Sequence, residues 1–86
     1  MLFAIIFTDN PGLCELRAKY LPAHIEWLES NNMLIPVGGS LRRNPGEQPK
    51  GGLWIAEADS KDTLETLIKT DPFYIAGLRQ SYEILY

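Results

Sequence analysis

The sequence predicts an α+β domain with the element order strand, helix, strand, strand, helix, strand. Four segments, 1–7, 33–41, 51–58 and 78–86, are rich in β-branched and aromatic residues or alternate apolar with polar ones, as strands do. Two further segments space their apolar side chains three or four positions apart, which is typical of amphipathic helices. Glycine, proline and asparagine separate these segments. A length of 86 residues predicts one domain, residues 1–86.

The first strand and the first helix follow each other directly. Met1 to Phe7 is a continuous apolar run, and a strand that is apolar on both faces is expected at the centre of its sheet with both faces covered. Asn10 followed by Pro11 predicts a helix start, because the asparagine side chain can cap a helix and proline suits the first turn, where an N–H is not needed. This helix is expected to end near residues 30–32. Pro22 is expected to kink the helix or to split it into two pieces.

The second and third strands are predicted at 33–41 and 51–58. Gly38 and Gly39 in the second strand indicate a bulge or a close backbone approach. Residues 42–50 contain two prolines and a glycine, so they are expected to form a polar loop. The third strand is apolar at successive positions and is therefore also expected near the centre of the sheet.

The second helix is predicted to begin after Ser60, which can cap it. It is expected to stop by Asp71, because Pro72 disfavours helical geometry in the residue before it. A short segment, 73–76, leads to the last strand at 78–86. The complete order is that of the ferredoxin-like split βαβ fold, with both helices on one face of a four-stranded antiparallel sheet.

The other face of this sheet has no predicted helix to cover it. Two of its strands are nevertheless apolar on both sides, and 45% of the chain is hydrophobic. A second copy of the chain, packed sheet against sheet, would bury that face. The sequence therefore predicts a homodimer.

Charge and composition exclude several classes of function. Eight basic and eleven acidic residues give a net charge of −3, which argues against binding to nucleic acid or to an anionic membrane surface. The apolar run at the start is too short to span a membrane and lacks the features of a signal peptide. Cys14 is the only cysteine, so no intrachain disulfide is expected, and one cysteine with one histidine does not form a recognisable metal site. The expected location is the cytoplasm, without metal or cofactor.

His24 and Asp71 are the candidate catalytic residues. His24 is the only histidine, and histidine is the side chain that most readily exchanges a proton near neutral pH. The alternative is that His24 is a buried histidine with a structural role. Asp71 is either a turn former before proline or a residue with a partner elsewhere. In the split βαβ fold the two helices lie side by side, so the carboxylate could reach the imidazole and fix its tautomer. Arg17, one to two turns before His24, is either a solvated charge or an anchor for an anionic oxygen.

Several segments are similar to the YCII-like proteins. They are residues 1–12, Leu16-Arg17, Pro22-Ala23-His24, Gly51-Gly52-Leu53-Trp54-Ile55 and Thr70-Asp71-Pro72-Phe73. The resemblance implies the dimeric α+β barrel form of the ferredoxin-like fold. It also implies a His24–Asp71 dyad that Pro72 orients, with Arg17 helping to bind substrate. Where an activity is known in that family, it resembles cofactor-free elimination, as in the loss of halide from a chlorinated hydroxyquinol.

One residue departs from the resemblance. Many YCII-like proteins carry arginine immediately before Pro-Ala-His, whereas this chain has Leu21. If that arginine binds an anionic substrate, either the substrate differs here or Arg17 takes over its role.

Two hypotheses about function follow. The first is a small cofactor-free lyase or isomerase acting on an acidic or phenolic molecule, with His24 as general base and acid, Asp71 as its orienting partner and Arg17 stabilising negative charge. The second is a dimeric ligand-binding or accessory module without turnover, in which His24 and Asp71 form a structural pair. A catalytic pair should border a cavity that solvent can reach, whereas a structural pair should be closed off.

Overall fold

The computed structural model describes all residues from 1 to 86. Its elements are β1 (Leu2–Asp9), α1 (Cys14–Ser30), β2 (Val37–Leu41), β3 (Gly51–Glu57), α2 (Lys61–Ile68), α3 (Pro72–Ile75) and β4 (Arg79–Leu85). The predicted order is confirmed, with one addition. The short segment expected after the second helix is a helix of its own, α3. None of the helices combines the length and the apolar character that crossing a membrane requires.

The four strands form one antiparallel sheet in the order β2-β3-β1-β4. This is the ferredoxin-like arrangement, and it confirms the predicted fold class. The two strands with continuous apolar sequence, β1 and β3, occupy the centre, where strands are paired along both edges. The polar and glycine-rich strands, β2 and β4, lie at the edges.

The hydrophobic core lies between the helices and one face of the sheet. Phe3, Ile5 and Phe7 alternate along β1 and are almost completely buried, because every second residue of a strand points to the same face. Strands β3 and β4, helix α2 and the segments that flank β2 and β3 add the remaining side chains of this cluster, which are Ile35, Trp54, Ala56, Ala58, Leu64, Ile68 and Ile84. Helix α1 contributes the half-buried Trp27 and Leu28.

The opposite face of the sheet is apolar and uncovered in the single chain. Its apolar side chains are Leu2, Ala4, Ile6, Val37, Leu41, Leu53, Ile55 and Leu85, as the strand register shows. Leu2 is 61% exposed and Val37 is 55% exposed. We expected the central strands to be covered on both faces. Within one chain, the helices cover one face and the other face is exposed.

The start of α1 differs from the prediction. The helix begins at Cys14, and Leu13 occupies its cap position without a side-chain hydrogen bond. Asn10 lies before the turn that Gly12 makes with a φ of +76°. Its side-chain Nδ2 donates to the Gly77 carbonyl at 2.9 Å, so Asn10 ties two turns together instead of capping a helix.

Pro22 does not split α1, which is continuous from Cys14 to Ser30. Proline removes one backbone donor, the one that would bond the carbonyl of Ala18. Both Pro22 and Ala18 are exposed, so water can satisfy that carbonyl.

Strand β2 is shorter than predicted. Residues 31–34 continue from α1 as turns, in which the amides of Leu34 and Ile35 donate to the carbonyl of Asn31. Pairing with β3 begins only at Val37, after Pro36. Proline has no N–H to give to the sheet, which explains why the strand starts after it.

Gly51 is a position where the sheet admits no side chain. A Cβ atom there would lie 1.8 Å from the carbonyl oxygen of Phe7, whereas a Cβ at Gly39 would meet nothing within 4 Å. We expect Gly51→Ala to lower the free energy of unfolding by about 3 kcal/mol or more, because backbone must move to relieve the overlap. Gly39→Ala is the matched control and should be neutral or slightly stabilising, since alanine restricts the unfolded chain. Urea denaturation measures both, and equal midpoints for the two variants would contradict the expectation.

Candidate active site

His24 and Asp71 are in contact, although 47 positions separate them in the sequence. His24 is the buried residue of α1, and Asp71 lies between α2 and α3. The distance between His24 Nδ1 and Asp71 Oδ1 is 2.6 Å. Asp71 is completely buried and His24 is 7% exposed. The fold thus brings together the two residues that the sequence singled out; their role in chemistry stays a prediction.

Local structure fixes the carboxylate of Asp71. Helix α2 stops at Ile68, in agreement with the expectation that it ends by Asp71, and Asp71 itself caps α3. Its Oδ1 accepts the backbone N–H of Phe73 at 3.1 Å, and Pro72, the first residue of α3, has no N–H that would need a partner. Asp71 is therefore a turn former and the partner of His24 at once.

Aromatic rings fix the imidazole of His24. The ring of Phe73 stacks on it with centroids 4.0 Å apart and planes inclined by 14°. The indole N–H of Trp27, one turn further along α1, donates to Thr70 Oγ1 at 3.1 Å and joins this helix to the turn before Asp71. A carboxylate at Nδ1 places the proton on that nitrogen. Nε2 has no protein partner and is not sealed from solvent.

A third buried charged residue, Arg79, completes the cluster. Its Nη1 donates to Asp9 Oδ1 at 2.9 Å, and its Nε lies 3.8 Å from Asp71 Oδ2. Both Nε of Arg79 and Oδ2 of Asp71 are buried without a hydrogen-bond partner. Arg79 therefore stands between two buried carboxylates, and its charge offsets both of them.

Sequence reasoning missed Arg79 and Asp9. Arg79 is the first residue of β4, and Asp9 is the last residue of β1 and its cross-strand partner. A signal for this ion pair was available in the sequence. The two residues carry opposite charges at the ends of two strands that the predicted fold places side by side. The pairing also depends on a register shift between Thr8 and Asp9, which the sequence does not reveal.

Arg17 takes part in the same cluster. Its Nη2 donates to Asp9 Oδ2, so Asp9 accepts from two guanidinium groups. The Arg17 guanidinium also lies over the ring of Phe73, with Cζ 5.0 Å from the ring centroid. Arg17 is thus neither a free solvated charge nor an unoccupied anchor. It is held by an ion pair at the edge of the site.

His24, but not the fully buried Asp71, borders a cavity of about 260 Å³. The residues that line it come from α1, from α3 and from the strands: Arg17, Leu21, His24, Ile25, Leu28, Gly38, Gly39, Ser40, Arg42, Pro49, Gly51, Gly52, Phe73 and Arg79. Four of them are glycines of β2 and β3, and two of these, Gly38 and Gly52, lie on the helix face, where their missing side chains leave space under α1. A Cβ at Gly52 would lie 3.3 Å from Nη1 of Arg79, so this glycine also makes room for the guanidinium.

A larger cavity of about 440 Å³ lies on the other side of Arg17. The turn between β1 and α1 and residues 48–50 line it, and so does the exposed Cys14. Neither His24 nor Asp71 borders it. No group of three or more histidine, cysteine, aspartate or glutamate side chains is placed to hold a metal ion.

The side chain of Tyr82, on the helix face of β4, has a displaced pKa. Burial, together with a hydrogen bond from the hydroxyl to Glu65, raises the pKa of Tyr82 to about 12. This phenol does not border the His24 cavity and remains protonated at neutral pH.

Fold and site together define a class, a ferredoxin-like α+β domain with a buried histidine–aspartate pair beside a small cavity. The model of the YCII-related domain matches residues 1–86, and the chain belongs to this family. Among solved structures, it is similar to 5-chloro-2-hydroxyhydroquinone dehydrochlorinase from Burkholderia phenoliruptrix AC1100, in complex with 2,5-dihydroxybenzoquinone. That match has 33% identity and a TM-score of 0.88, and it covers 100% of this chain and 92% of the other.

More distant structures share the fold alone. An antibiotic biosynthesis monooxygenase is 20% identical, with a TM-score of 0.55 and coverage of 99% of this chain and 94% of the other. A dimeric protein of unknown function with a ferredoxin-like fold from Bacteroides fragilis NCTC 9343 is 19% identical, with a TM-score of 0.52 and coverage of 98% and 90%. No protein with curated function matches the chain significantly.

Arg79 offers a test of the charge cluster. We expect Arg79→Met to lower the free energy of unfolding by about 3 kcal/mol or more, because it leaves two buried carboxylates without their shared cation. Arg43→Met is the control: Arg43 is exposed and lies outside the cavity, so the loss should stay within about 0.5 kcal/mol. Urea denaturation followed by circular dichroism gives both values. Similar stability of the two variants would show that Arg79 does not hold the cluster together.

Proposed function

We propose that this protein is a cofactor-free enzyme of the lyase or isomerase type that moves a proton on a small acidic or phenolic substrate. The observation that carries the proposal is the position of His24. Its Nδ1 is held by Asp71 at 2.6 Å, and the residue lines a cavity of about 260 Å³. An imidazole that is fixed through one nitrogen can exchange a proton at the other.

Each residue of the site receives a role in this proposal. His24 Nε2 acts first as general base and then as general acid. Asp71 is a positioning residue that keeps the proton on Nδ1, and Pro72 sets its direction by starting α3. Arg17 and Arg79 line the cavity and stabilise negative charge that develops on a substrate oxygen.

The reaction needs no electron acceptor. In the lyase direction, the aromatic substrate first takes a keto form, in which a hydroxyl proton has moved to the ring carbon that bears the leaving group. His24 then takes a proton from a second hydroxyl group, on the carbon–carbon double bond next to that saturated carbon. The oxygen forms a carbonyl, the double bond shifts by one position, and a leaving group departs with its bonding pair, so the substrate loses one acid molecule. In the isomerase direction, the same proton returns to a different atom of the substrate. Both sequences balance with one proton carrier.

The related dehydrochlorinase supports the choice of substrate class. Its name describes the removal of hydrogen chloride from a chlorinated hydroxyhydroquinone, and the molecule bound to it is a dihydroxybenzoquinone. Both are flat, acidic molecules with one six-membered ring. A cavity of about 260 Å³ lies just below the size usual for drug-sized ligands, roughly 300–1,000 Å³, and suits a molecule of this size.

Chloride release from 5-chloro-2-hydroxyhydroquinone, the compound named in the relative, tests the proposal. We expect His24→Gln to lower kcat by about 100-fold or more, because the proton carrier is lost. Asp71→Asn should lower it by about tenfold or more, because the imidazole loses its fixed tautomer. Glu26→Gln is the matched control on the exposed side of α1 and should keep full activity.

Circular dichroism of each variant separates loss of chemistry from loss of fold. A folded His24→Gln protein that releases chloride as fast as the wild type would refute the assignment of His24.

The alternative is a binding module in which the pair is structural. Its supporting observation is burial, since Asp71 is inaccessible and Phe73 covers one side of the imidazole. This alternative predicts no turnover by the wild type and a clear loss of thermal stability in His24→Ala. The enzyme proposal predicts turnover, with little change in stability for that variant.

We also propose that two copies of the chain pair through the open face of the sheet. That face carries eight apolar side chains, and one of the structures with the same fold is described as dimeric. When this face packs against the same face of a second copy, its apolar side chains leave water, and the contact has two-fold symmetry.

Ile6 lies on a central strand of this face and provides the test. We expect Ile6→Lys to shift the mass in solution from twice the chain mass of 9.7 kDa to the chain mass itself, because it places a charge inside the contact. Met33→Lys adds the same charge at a residue that is 87% exposed and away from the sheet, and it should leave the dimer intact. Light scattering after size exclusion measures both. A wild type of single-chain mass would contradict the proposal.

A further inference from the structure

We infer that Arg42 recognises an anionic group of the ligand at the β2 side of the cavity. The ligand class is accordingly a small ring compound that carries a negatively charged oxygen. This inference rests on the proposed function in one respect, namely that the cavity beside His24 is the substrate site.

The cavity presents positive charge without any acidic side chain on its wall. Arg17, Arg42 and Arg79 line it together with His24, while Asp9 and Asp71 do not. The two carboxylates lie behind this wall, where they bind the guanidinium groups of Arg17 and Arg79 and the imidazole. Three guanidinium groups against two carboxylates leave one positive charge when the imidazole is neutral. The whole chain, by contrast, carries −3.

The unbalanced charge belongs to Arg42. Its Nη2 donates to Ser40 Oγ at 2.8 Å and its Nη1 to the backbone carbonyl of Glu47 at 3.2 Å, and both acceptors are neutral. The carboxylate of Glu47 turns away and accepts from Asn44 Nδ2 at 2.7 Å. A guanidinium has five N–H donors, so three remain available to a ligand.

Arg42 is directed to the cavity by its place in the chain. It follows the last residue of β2, Leu41, whose carbonyl accepts the amide of Lys50 and closes the loop. Along β2, Gly38 and Ser40 point to the helix face of the sheet, and Arg42 continues that alternation. These two hydrogen bonds preorganise the guanidinium of Arg42 before a ligand binds, so the side chain loses less conformational entropy on binding.

Arg42 and Arg79 start at opposite edges of the sheet, and both guanidinium groups reach the cross-strand pair of Ser40 and Gly52. Arg42 follows the edge strand β2, and Arg79 begins the other edge strand, β4. Leu21, Ile25 and Leu28 of α1 form an apolar wall of the same cavity. An apolar wall together with cationic groups above the strands fits a flat ring that carries an anionic oxygen.

Two probes, each with a flat six-carbon ring, test this inference by isothermal titration calorimetry. 2,5-Dihydroxybenzoquinone has acidic hydroxyl groups on opposite sides of its ring, and hydroquinone is uncharged at neutral pH. We expect Arg42→Ala to weaken binding of the dihydroxybenzoquinone by about ten- to hundredfold, because a charged hydrogen bond is lost. Arg42→Lys should weaken it less, since the charge stays but the planar fork is lost. Binding of hydroquinone should not change.

Arg43→Ala is the matched control, because it removes the same charge from the neighbouring exposed residue, which does not line the cavity. This variant should bind both probes as the wild type does. Thermal unfolding should be unchanged in all three variants, since neither arginine is buried or paired with a carboxylate.

The NMR signal of the His24 imidazole separates the two ways in which the inference can fail. If the dihydroxybenzoquinone shifts this signal in the wild type but binds Arg42→Ala and Arg43→Ala equally well, the role of Arg42 is refuted and the proposed site stands. If the probe leaves the signal of the wild type unchanged, the cavity is not the ligand site, and both the inference and the proposed function are overturned.

Discussion

The site depends on one constraint, which is that charge buried away from water must be balanced within the protein. Asp9 accepts from Arg17 and Arg79, and Asp71 faces His24 and Arg79. Because Arg79 lies between the two carboxylates, it links the end of β1, the start of β4 and the turn between α2 and α3. The direction of the imidazole follows from that arrangement, since Asp71 holds it through Nδ1.

The cavity results from the distribution of large and small residues along the same strands. Trp54 and Phe7 fill the core, with ring centroids 4.5 Å apart, whereas Gly38 and Gly52 place no side chain toward α1. A packed interior tolerates few voids, so the space that remains beside His24 is a specific feature of these glycines. Its wall combines apolar side chains of α1 with three arginines and no acidic side chain, which is why we propose a small acidic ring as its ligand.

The two faces of the sheet divide the roles that we propose. The helix face holds the charged cluster and the cavity, and the open face offers apolar surface to a second copy. Proteins that are about 20% identical share this scaffold and differ widely in their described nature, so the fold alone does not decide the function. The relative at 33% identity supports the reaction class more closely, because it matches along the whole chain.

The sequence by itself determined the order of elements and the two central strands, because apolar periodicity and proline or glycine breaks act locally. The family resemblance singled out the pair that the structure brings within hydrogen-bond distance. Only the tertiary structure decided the partners of Arg79, which are Asp9, 70 positions away, and Asp71, in the turn before α3. Those contacts require a particular strand register and a particular crossing of the helices. Both are set by the packing of the whole chain, and no local pattern encodes them.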